Sequence, residues 1–248
     1  AEDNFRINPD LIEAKITPKT KAIVLINPCN PTGRVYDAKE LQALAELAIR
    51  HDLLIFSDEV YEKVVYDDAK HISIASLPGM AERTISFFAF TKAYAMDGWR
   101  LGYAVASPAL VKAMLNVTTN DVTHVSTFSQ HGALEAVRNG ETAVRQMNKE
   151  DRERRDNMVQ ALNQMPGVRC ALPEGTIYAF PDVRALGKPS QQIAEEILAE
   201  TGVVVEAGSF YGAAGEGHLR LCFGAESDDR LAEALNRLSQ YFNQRTTG

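Results

Sequence analysis

Short apolar runs alternate with amphipathic segments through the first half of the chain, and this alternation limits the possible folds more than any other feature. Asp37, followed three residues later by Glu40, has the capping-box pattern of a helix start. Leu41, Leu44 and Leu47 then recur at helical spacing. The apolar runs have the length of buried strands and lie at residues 22–26, 53–56, 85–90 and 101–106. The alternation predicts an α/β fold, with a mostly parallel sheet and helices on both of its faces.

The second half of the chain has shorter elements. A long polar helix is predicted over residues 141–165, where Pro166 and Gly167 end it. Short strands are predicted at residues 168–171, 177–180, 203–206 and 218–223, and helices at residues 190–201 and 228–244. This arrangement predicts a large domain over residues 1–145 and a smaller α+β domain over residues 146–248.

Composition excludes several classes of protein. The 248 residues are 45% hydrophobic and 24% charged, which is typical of a soluble globular protein. A net charge of −7 argues against nucleic acid or an anionic membrane as a partner. No apolar run approaches the ~20 residues of a membrane span. The three cysteines, none in a Cys-x-x-Cys pair, and the scattered histidines predict a reduced cytoplasmic protein with no metal site.

Polar residues follow three consecutive predicted strands. An Asn-Pro-Thr-Gly segment begins at Asn30 after the first strand, and Asp58 and Tyr61 follow the second. Lys92 follows the third strand, and Arg100 comes eight residues later. Ligands of open α/β sheets bind beyond the carboxyl ends of the strands. Because a carboxylate and a lysine are costly to bury together without a role, these residues predict a functional cleft.

Each of these residues also has a purely structural interpretation. The Asn30 segment could form only a turn. Asp58 and Glu59 could cap a helix, and Lys92 could lie on the surface. Arg100 could pair with Asp97, three residues before it. Arg220, which alternates with apolar neighbours, could be the outward residue of a half-buried strand. The combination and its order in the chain favour the functional interpretation.

This combination resembles the class I and II aminotransferases, which are pyridoxal-phosphate (PLP) enzymes of the aspartate aminotransferase fold, fold type I. The resemblance rests on Asn-Pro-Cys-Asn-Pro-Thr-Gly at residues 27–33, Ser-Asp-Glu-Val-Tyr at residues 57–61 and the lysine–arginine segment at residues 90–103. It extends into the second half at residues 173–178 and 219–224. It implies that the first domain is a PLP-binding large domain and that the second is the small domain of such an enzyme.

The resemblance implies a role for each residue of the cofactor site. Lys92 would be the catalytic residue and form a Schiff base with PLP. Asp58 would pair with the pyridine nitrogen and keep it protonated. Asn30 and Tyr61 would donate hydrogen bonds to the ring 3-oxygen, and Arg100 would bind the cofactor phosphate.

The resemblance also implies how the substrate binds. Arg220 would bind the α-carboxylate of the substrate through both ends of its guanidinium group, with Asn30 beside it. The Asn30–Pro31 peptide bond is expected to be cis, as in members of the family. Asp97 is a departure from the family pattern, because its carboxylate could compete with the phosphate for Arg100.

The implied function is transfer of an amino group between an L-amino acid and a 2-oxo acid. A PLP-dependent C–S lyase of the same fold and a PLP-sensing domain of a transcription regulator are the alternatives, because a fold alone does not fix the reaction. The resemblance implies a homodimer when the protein is full length. It also implies that a segment of the enzyme precedes residue 1, so that the 248 residues are an N-terminally truncated chain.

Overall fold

A computed structural model describes residues 4–245. The chain forms two compact units. The N-terminal unit contains Arg6–Pro28 and Val35–Gln146, and the C-terminal unit contains residues 4–5, Cys29–Arg34 and residues 147–245. Each unit therefore includes chain segments that are separated in the sequence. The predicted division into a PLP-binding domain and a small domain, with its boundary near residue 145, stays a prediction.

The N-terminal unit is built on a four-stranded sheet with the order β1-β2-β3-β4. The first three strands are parallel, and β4 pairs with β3 in the antiparallel direction. The strands are β1 (Ala22–Ile26), β2 (Leu54–Asp58), β3 (Thr84–Ala89) and β4 (Gly102–Val105). All four lie where the apolar runs predict them, and the α/β class with a mostly parallel sheet is confirmed. The chain between β3 and β4 contains only a short 3-10 turn, so β4 returns directly instead of crossing over through a helix.

The helices of this unit are α1 (Pro9–Glu13), α2 (Ala38–Arg50), α3 (Pro108–Asp121), α4 (Thr127–Asn139) and the first residues of α5 (Glu141–Gln164). Helix α2 begins as predicted, because the Asp37 side chain accepts from the backbone N–H of Glu40 and the Glu40 side chain accepts from that of Asp37. Its leucines pack against strand residues such as Leu25 and Ile55 to form the core of the unit.

The strands alternate in burial, so the two faces of the sheet differ. Leu25 and Ile55 are buried with α2 on one face. Val24, Phe56 and Phe87 stay exposed, and the rings of the two phenylalanines meet edge to face with 6.4 Å between their centroids. A row of apolar side chains therefore lies open to solvent on the sheet.

The C-terminal unit contains a three-stranded antiparallel sheet with the order β5-β7-β6. Its elements are the remainder of α5, β5 (Tyr178–Ala179), α6 (Ser190–Thr201), β6 (Glu206–Ala207), β7 (Leu219–Cys222) and α7 (Asp228–Arg245). The strand predicted at residues 168–171 is wrong, because only an isolated bridge from Arg169 to Asp182 forms there. The helices at residues 190–201 and 228–244 are confirmed to within one residue.

The Asn30 loop, Cys29–Arg34, belongs to the C-terminal unit through backbone hydrogen bonds. The carbonyl of Gly33 accepts from the N–H groups of Glu174 and Gly175, at 2.8 and 2.9 Å. Arg34 also pairs with Glu174 at 3.3 Å. The Asn30–Pro31 peptide bond is cis, as expected, and so is the Asn27–Pro28 bond. The loop is therefore more than an isolated turn, because residues far along the chain hold it.

Replacing Gly33 by alanine is expected to lower the free energy of unfolding by about 3 kcal/mol. Gly33 has a φ of +70°, and a Cβ there would lie 2.5 Å from the Cβ of Pro173. Gly187 is a matched control because its φ is +67° and nothing lies within 4 Å of an added Cβ. Chemical unfolding of both variants measures the difference, and an equal loss in both would contradict the steric explanation.

Candidate functional site

Two of the predicted site residues meet in the N-terminal unit. Tyr61 follows the end of β2 and is buried, and Lys92 follows the end of β3. The Nζ atom of Lys92 lies 5.6 Å from the centre of the Tyr61 ring. Both residues follow the carboxyl ends of neighbouring parallel strands, so the sheet brings the amine and the phenol together, as the sequence predicts for this edge.

Asp58 is the last residue of β2 and is partly buried. Its Oδ1 atom accepts from the backbone N–H of Val60 at 3.2 Å. Burial raises the pKa of Asp58, and the negative charge of Glu59 adds to the rise, while the Val60 hydrogen bond opposes it. Among residues 4–245, no cationic side chain pairs with Asp58 or lowers its pKa. A cation that binds beside Asp58 would therefore stabilise the charged form of its carboxylate.

Glu59 is fully buried and forms a network that the sequence analysis missed. Its Oε2 atom lies 3.1 Å from Nε2 of His71, and its Oε1 atom accepts from the Ser73 hydroxyl at 2.9 Å. Burial alone would raise the pKa of Glu59, but the neighbouring polar groups of His71, Ser86 and Ser73 outweigh it and lower the pKa. Helix capping by Asp58 and Glu59 is wrong, because turns rather than a helix follow β2.

The Glu59 network is expected to stabilise the fold in a pH-dependent way. A carboxylate with a lowered pKa contributes stability above its ordinary pKa of about 4.3, and this contribution is lost as the pH falls through the lower folded-state value. Glu59→Gln is expected to lose about 1–3 kcal/mol at pH 7, with the gap to the unmodified protein closing toward pH 3. Urea unfolding at several pH values measures this gap.

Glu62→Gln is the control for that experiment, because burial raises the pKa of Glu62. Ionisation of Glu62 costs stability at neutral pH, so its replacement is expected to change stability in the opposite direction. A gap for Glu59→Gln that stays constant with pH would contradict the assignment.

Arg100 lies in an exposed turn of the N-terminal unit, with a left-handed φ of 54°. Its Nη1 atom donates to the backbone carbonyl of Asp97 at 2.8 Å, not to the Asp97 carboxylate. The guanidinium lines a surface cavity of about 590 Å³ together with Trp99, His124 and Phe128. An anion in this cavity would meet the arginine directly.

Asn30 and Arg220 meet in the C-terminal unit although 190 residues separate them in the sequence. Nη1 of Arg220 donates to Oδ1 of Asn30 at 3.0 Å. The guanidinium carbon lies 4.2 Å from the centre of the Tyr178 ring and 5.3 Å from that of Tyr211. The hydrogen bond and the two rings fix the plane and the position of the guanidinium group.

Arg220 also donates through Nη2 to the carboxylate of Glu206, a contact that the sequence analysis missed. Glu206 on β6 is the register partner of Arg220 on β7. The sequence predicts strands in both regions but contains no signal for their pairing. A carboxylate and an arginine on two neighbouring predicted strands are compatible with this contact but do not predict it.

The two units thus hold separate groups of polar residues. The N-terminal unit has a lysine beside a phenol, a carboxylate without a cation partner and an exposed arginine. The C-terminal unit has an arginine fixed by an amide and two aromatic rings. An α/β scaffold that carries such charged side chains is typical of proteins that bind a charged small molecule. Convergence of both groups on one cleft stays a prediction.

The chain belongs to the class I and II aminotransferase family, whose sequence model matches residues 1–238. An aspartate aminotransferase of Pyrococcus abyssi is 41% identical over 98% of this chain and 63% of its own length. An aromatic-amino-acid aminotransferase of Thermococcus litoralis is 40% identical, with the same shares of both chains. The family resemblance of the sequence motifs is therefore confirmed.

Solved structures agree with this assignment. The aromatic aminotransferase of Pyrococcus horikoshii superimposes with a TM-score of 0.95 at 40% identity, over 98% of this chain and 65% of that one. A Thermus thermophilus aspartate aminotransferase variant gives a TM-score of 0.88 at 36% identity, over 96% of this chain and 61% of that one. The fold is that of the aspartate aminotransferases. The chain spans 63% of the length of the curated relatives that it matches.

Within residues 4–245, each helix is too short or too polar to cross a lipid bilayer.

Proposed function

We propose that the protein is a PLP-dependent aminotransferase that transfers an amino group between an L-amino acid and a 2-oxo acid. The observation that carries the proposal is the placement of Lys92 against Tyr61 at the strand ends, in a chain of this family. The partly buried Asp58, which has no cation partner among the described residues, supports it because a protonated ring nitrogen would supply one.

The residues present fit each functional group of PLP. Lys92 would bind the aldehyde carbon covalently through Nζ, and Asp58 would pair with the ring nitrogen. Asn30 and Tyr61 would donate to the ring 3-oxygen; the Asn30 amide can do so because its oxygen already accepts from Arg220. Arg100 would bind the phosphate. When bound, PLP supplies an electron-withdrawing ring that stabilises negative charge at the substrate Cα.

Other residues would act on the substrate. Arg220 would bind the α-carboxylate, because its guanidinium offers several N–H donors in a fixed plane. Asn30 would hold the guanidinium in that plane. Once the amino group of the substrate has displaced Lys92 from the aldehyde carbon, the released amine of Lys92 would take the proton from the substrate Cα and donate it back in the next step.

Borohydride reduction tests the cofactor assignment without depending on turnover. The full-length protein, incubated with PLP and reduced, should carry the cofactor mass on the peptide that contains Lys92. Transfer of an amino group from a panel of amino acids to a 2-oxo acid should follow in the unreduced protein. A reduced protein with no label on Lys92 would overturn the proposal.

The same panel separates the two alternative functions. A C–S lyase would release a thiol, pyruvate and ammonia from a sulfur amino acid without a 2-oxo acid acceptor. A sensing domain would bind PLP at Lys92 without turnover. The names of the relatives, which are aspartate and aromatic aminotransferases, favour amino-group transfer and suggest those substrates first. We further propose a cytoplasmic homodimer; three widely spaced cysteines with no Cys-x-x-Cys pair suit a reducing compartment.

A further inference from the structure

We propose that Glu206 competes with the substrate for Arg220 and thereby determines how tightly the protein binds carboxylates. The inference rests on the proposed function, in which Arg220 binds the α-carboxylate. It concerns a different residue and a different property of the site. A carboxylate-binding role for Arg220 does not explain why Glu206 pairs with that arginine.

Glu206 already makes with Arg220 the kind of contact that a bound carboxylate would make. Its Oε1 atom accepts from Nη2 of Arg220, and its Oε2 atom accepts from the hydroxyl of Tyr211 at 2.5 Å. Pairing of β6 with β7 places its backbone opposite that of Arg220. Both carboxylate oxygens therefore have a donor, and the side chain is held on the guanidinium from within the unit.

The guanidinium group of Arg220 therefore already makes two polar contacts before any substrate arrives. Its Nη1 atom donates to Asn30 and its Nη2 atom to Glu206. The Tyr178 ring lies within 4.2 Å of the guanidinium carbon, and only 15% of the arginine side chain is exposed. An incoming carboxylate that binds at Nη2 must share this nitrogen with Glu206 or displace it. Sharing places two negative charges on one partly buried cation, and displacement costs the contact between Glu206 and Arg220, so both weaken carboxylate binding.

Glu206 could instead have the role of positioning Arg220, and this role predicts a change in carboxylate binding of the opposite sign. If Glu206 chiefly held the guanidinium in place, its removal would weaken carboxylate binding. Asn30 and Tyr178 would still hold Arg220 after that removal, one by a hydrogen bond and the other by stacking. We therefore expect tighter binding when the charge of Glu206 is removed.

The test measures binding of propionate, an unreactive carboxylate, to the full-length protein by ligand-observed NMR. Glu206→Gln is expected to lower the dissociation constant of propionate about tenfold. The dissociation constant of propionamide, which has no charge, should not change. Glu233→Gln is the matched control, because Glu233 forms an exposed ion pair with Arg237 on α7. KM for the amino acid should fall together with the dissociation constant in Glu206→Gln but not in Glu233→Gln.

Unchanged or weaker propionate binding in a folded Glu206→Gln variant would overturn the inference. Circular dichroism checks folding, and Glu206→Ala gives the same test if the glutamine variant does not fold. Arg220→Ala separates this inference from the proposed function. Loss of propionate binding in Arg220→Ala, with no effect of Glu206→Gln, would overturn the inference alone. Unchanged propionate binding in Arg220→Ala would overturn the carboxylate-binding role of Arg220 and the inference with it.

Discussion

Replacement of Lys92 by alanine is expected to lower kcat for amino-group transfer by at least about 10⁴-fold. Two functions would be lost together, because the same amine would bind the cofactor and move the Cα proton. Lys92 is partly buried against Tyr61 and lies beyond the end of β3, so the fold should tolerate the change. Steady-state kinetics with an active amino acid measures the effect.

Lys112→Ala is the matched control for this prediction. Lys112 is an exposed lysine on α3 of the same unit, and its replacement should leave turnover within twofold. Borohydride reduction adds an independent measurement, because Lys92→Ala should no longer retain PLP after denaturation. A variant that keeps more than about a tenth of the activity would refute the role of Lys92 as proton carrier.

Asp58→Asn is expected to lower kcat about 10²- to 10³-fold, the size of effect seen when one preorganised electrostatic partner is lost. Asparagine has the same shape but no charge, so it cannot hold a proton on the cofactor ring nitrogen. The effect on stability should have the opposite sign. Because burial raises the pKa of Asp58, its ionisation costs stability at pH values above both the folded and unfolded pKa.

The cofactor-free Asp58→Asn variant should therefore melt at the same temperature as the unmodified protein or higher. Added PLP should raise the melting temperature of the unmodified protein more than that of the variant. Asp68→Asn, at an exposed position of the same unit, should change neither turnover nor the response to PLP. Equal stabilisation of both proteins by PLP would show that Asp58 does not contact the cofactor.

The sequence predicts those parts of the fold that depend on local patterns. Strands β1 to β4 follow from apolar runs, and helix α2 follows from its capping box and leucine spacing. The placement of Tyr61 against Lys92 follows from a general rule about strand ends. These predictions succeed because the relevant interactions join residues that are close in sequence or fixed by the parallel sheet.

The parts that the sequence does not predict depend on distant pairing. Glu59 meets His71 through an irregular segment with no periodic pattern, and Glu206 meets Arg220 only because β6 pairs with β7. The antiparallel direction of β4 also depends on a connection whose path the sequence does not reveal. Hydrophobic periodicity contains no information about such partners.

The inclusion of the Asn30 loop in the C-terminal unit has a consequence for synthesis on the ribosome. Gly33 leaves the ribosome well before Glu174 and Gly175. The N–H groups of these two residues donate to the carbonyl of Gly33 in the folded unit. At about 5–20 residues per second, the loop waits on the order of ten seconds for those partners. Arg220, the partner of Asn30, is made later still. The C-terminal unit therefore completes its folding only after Arg220 has left the ribosome, and a chain cut after residue 34 could not rebuild it from the downstream piece alone.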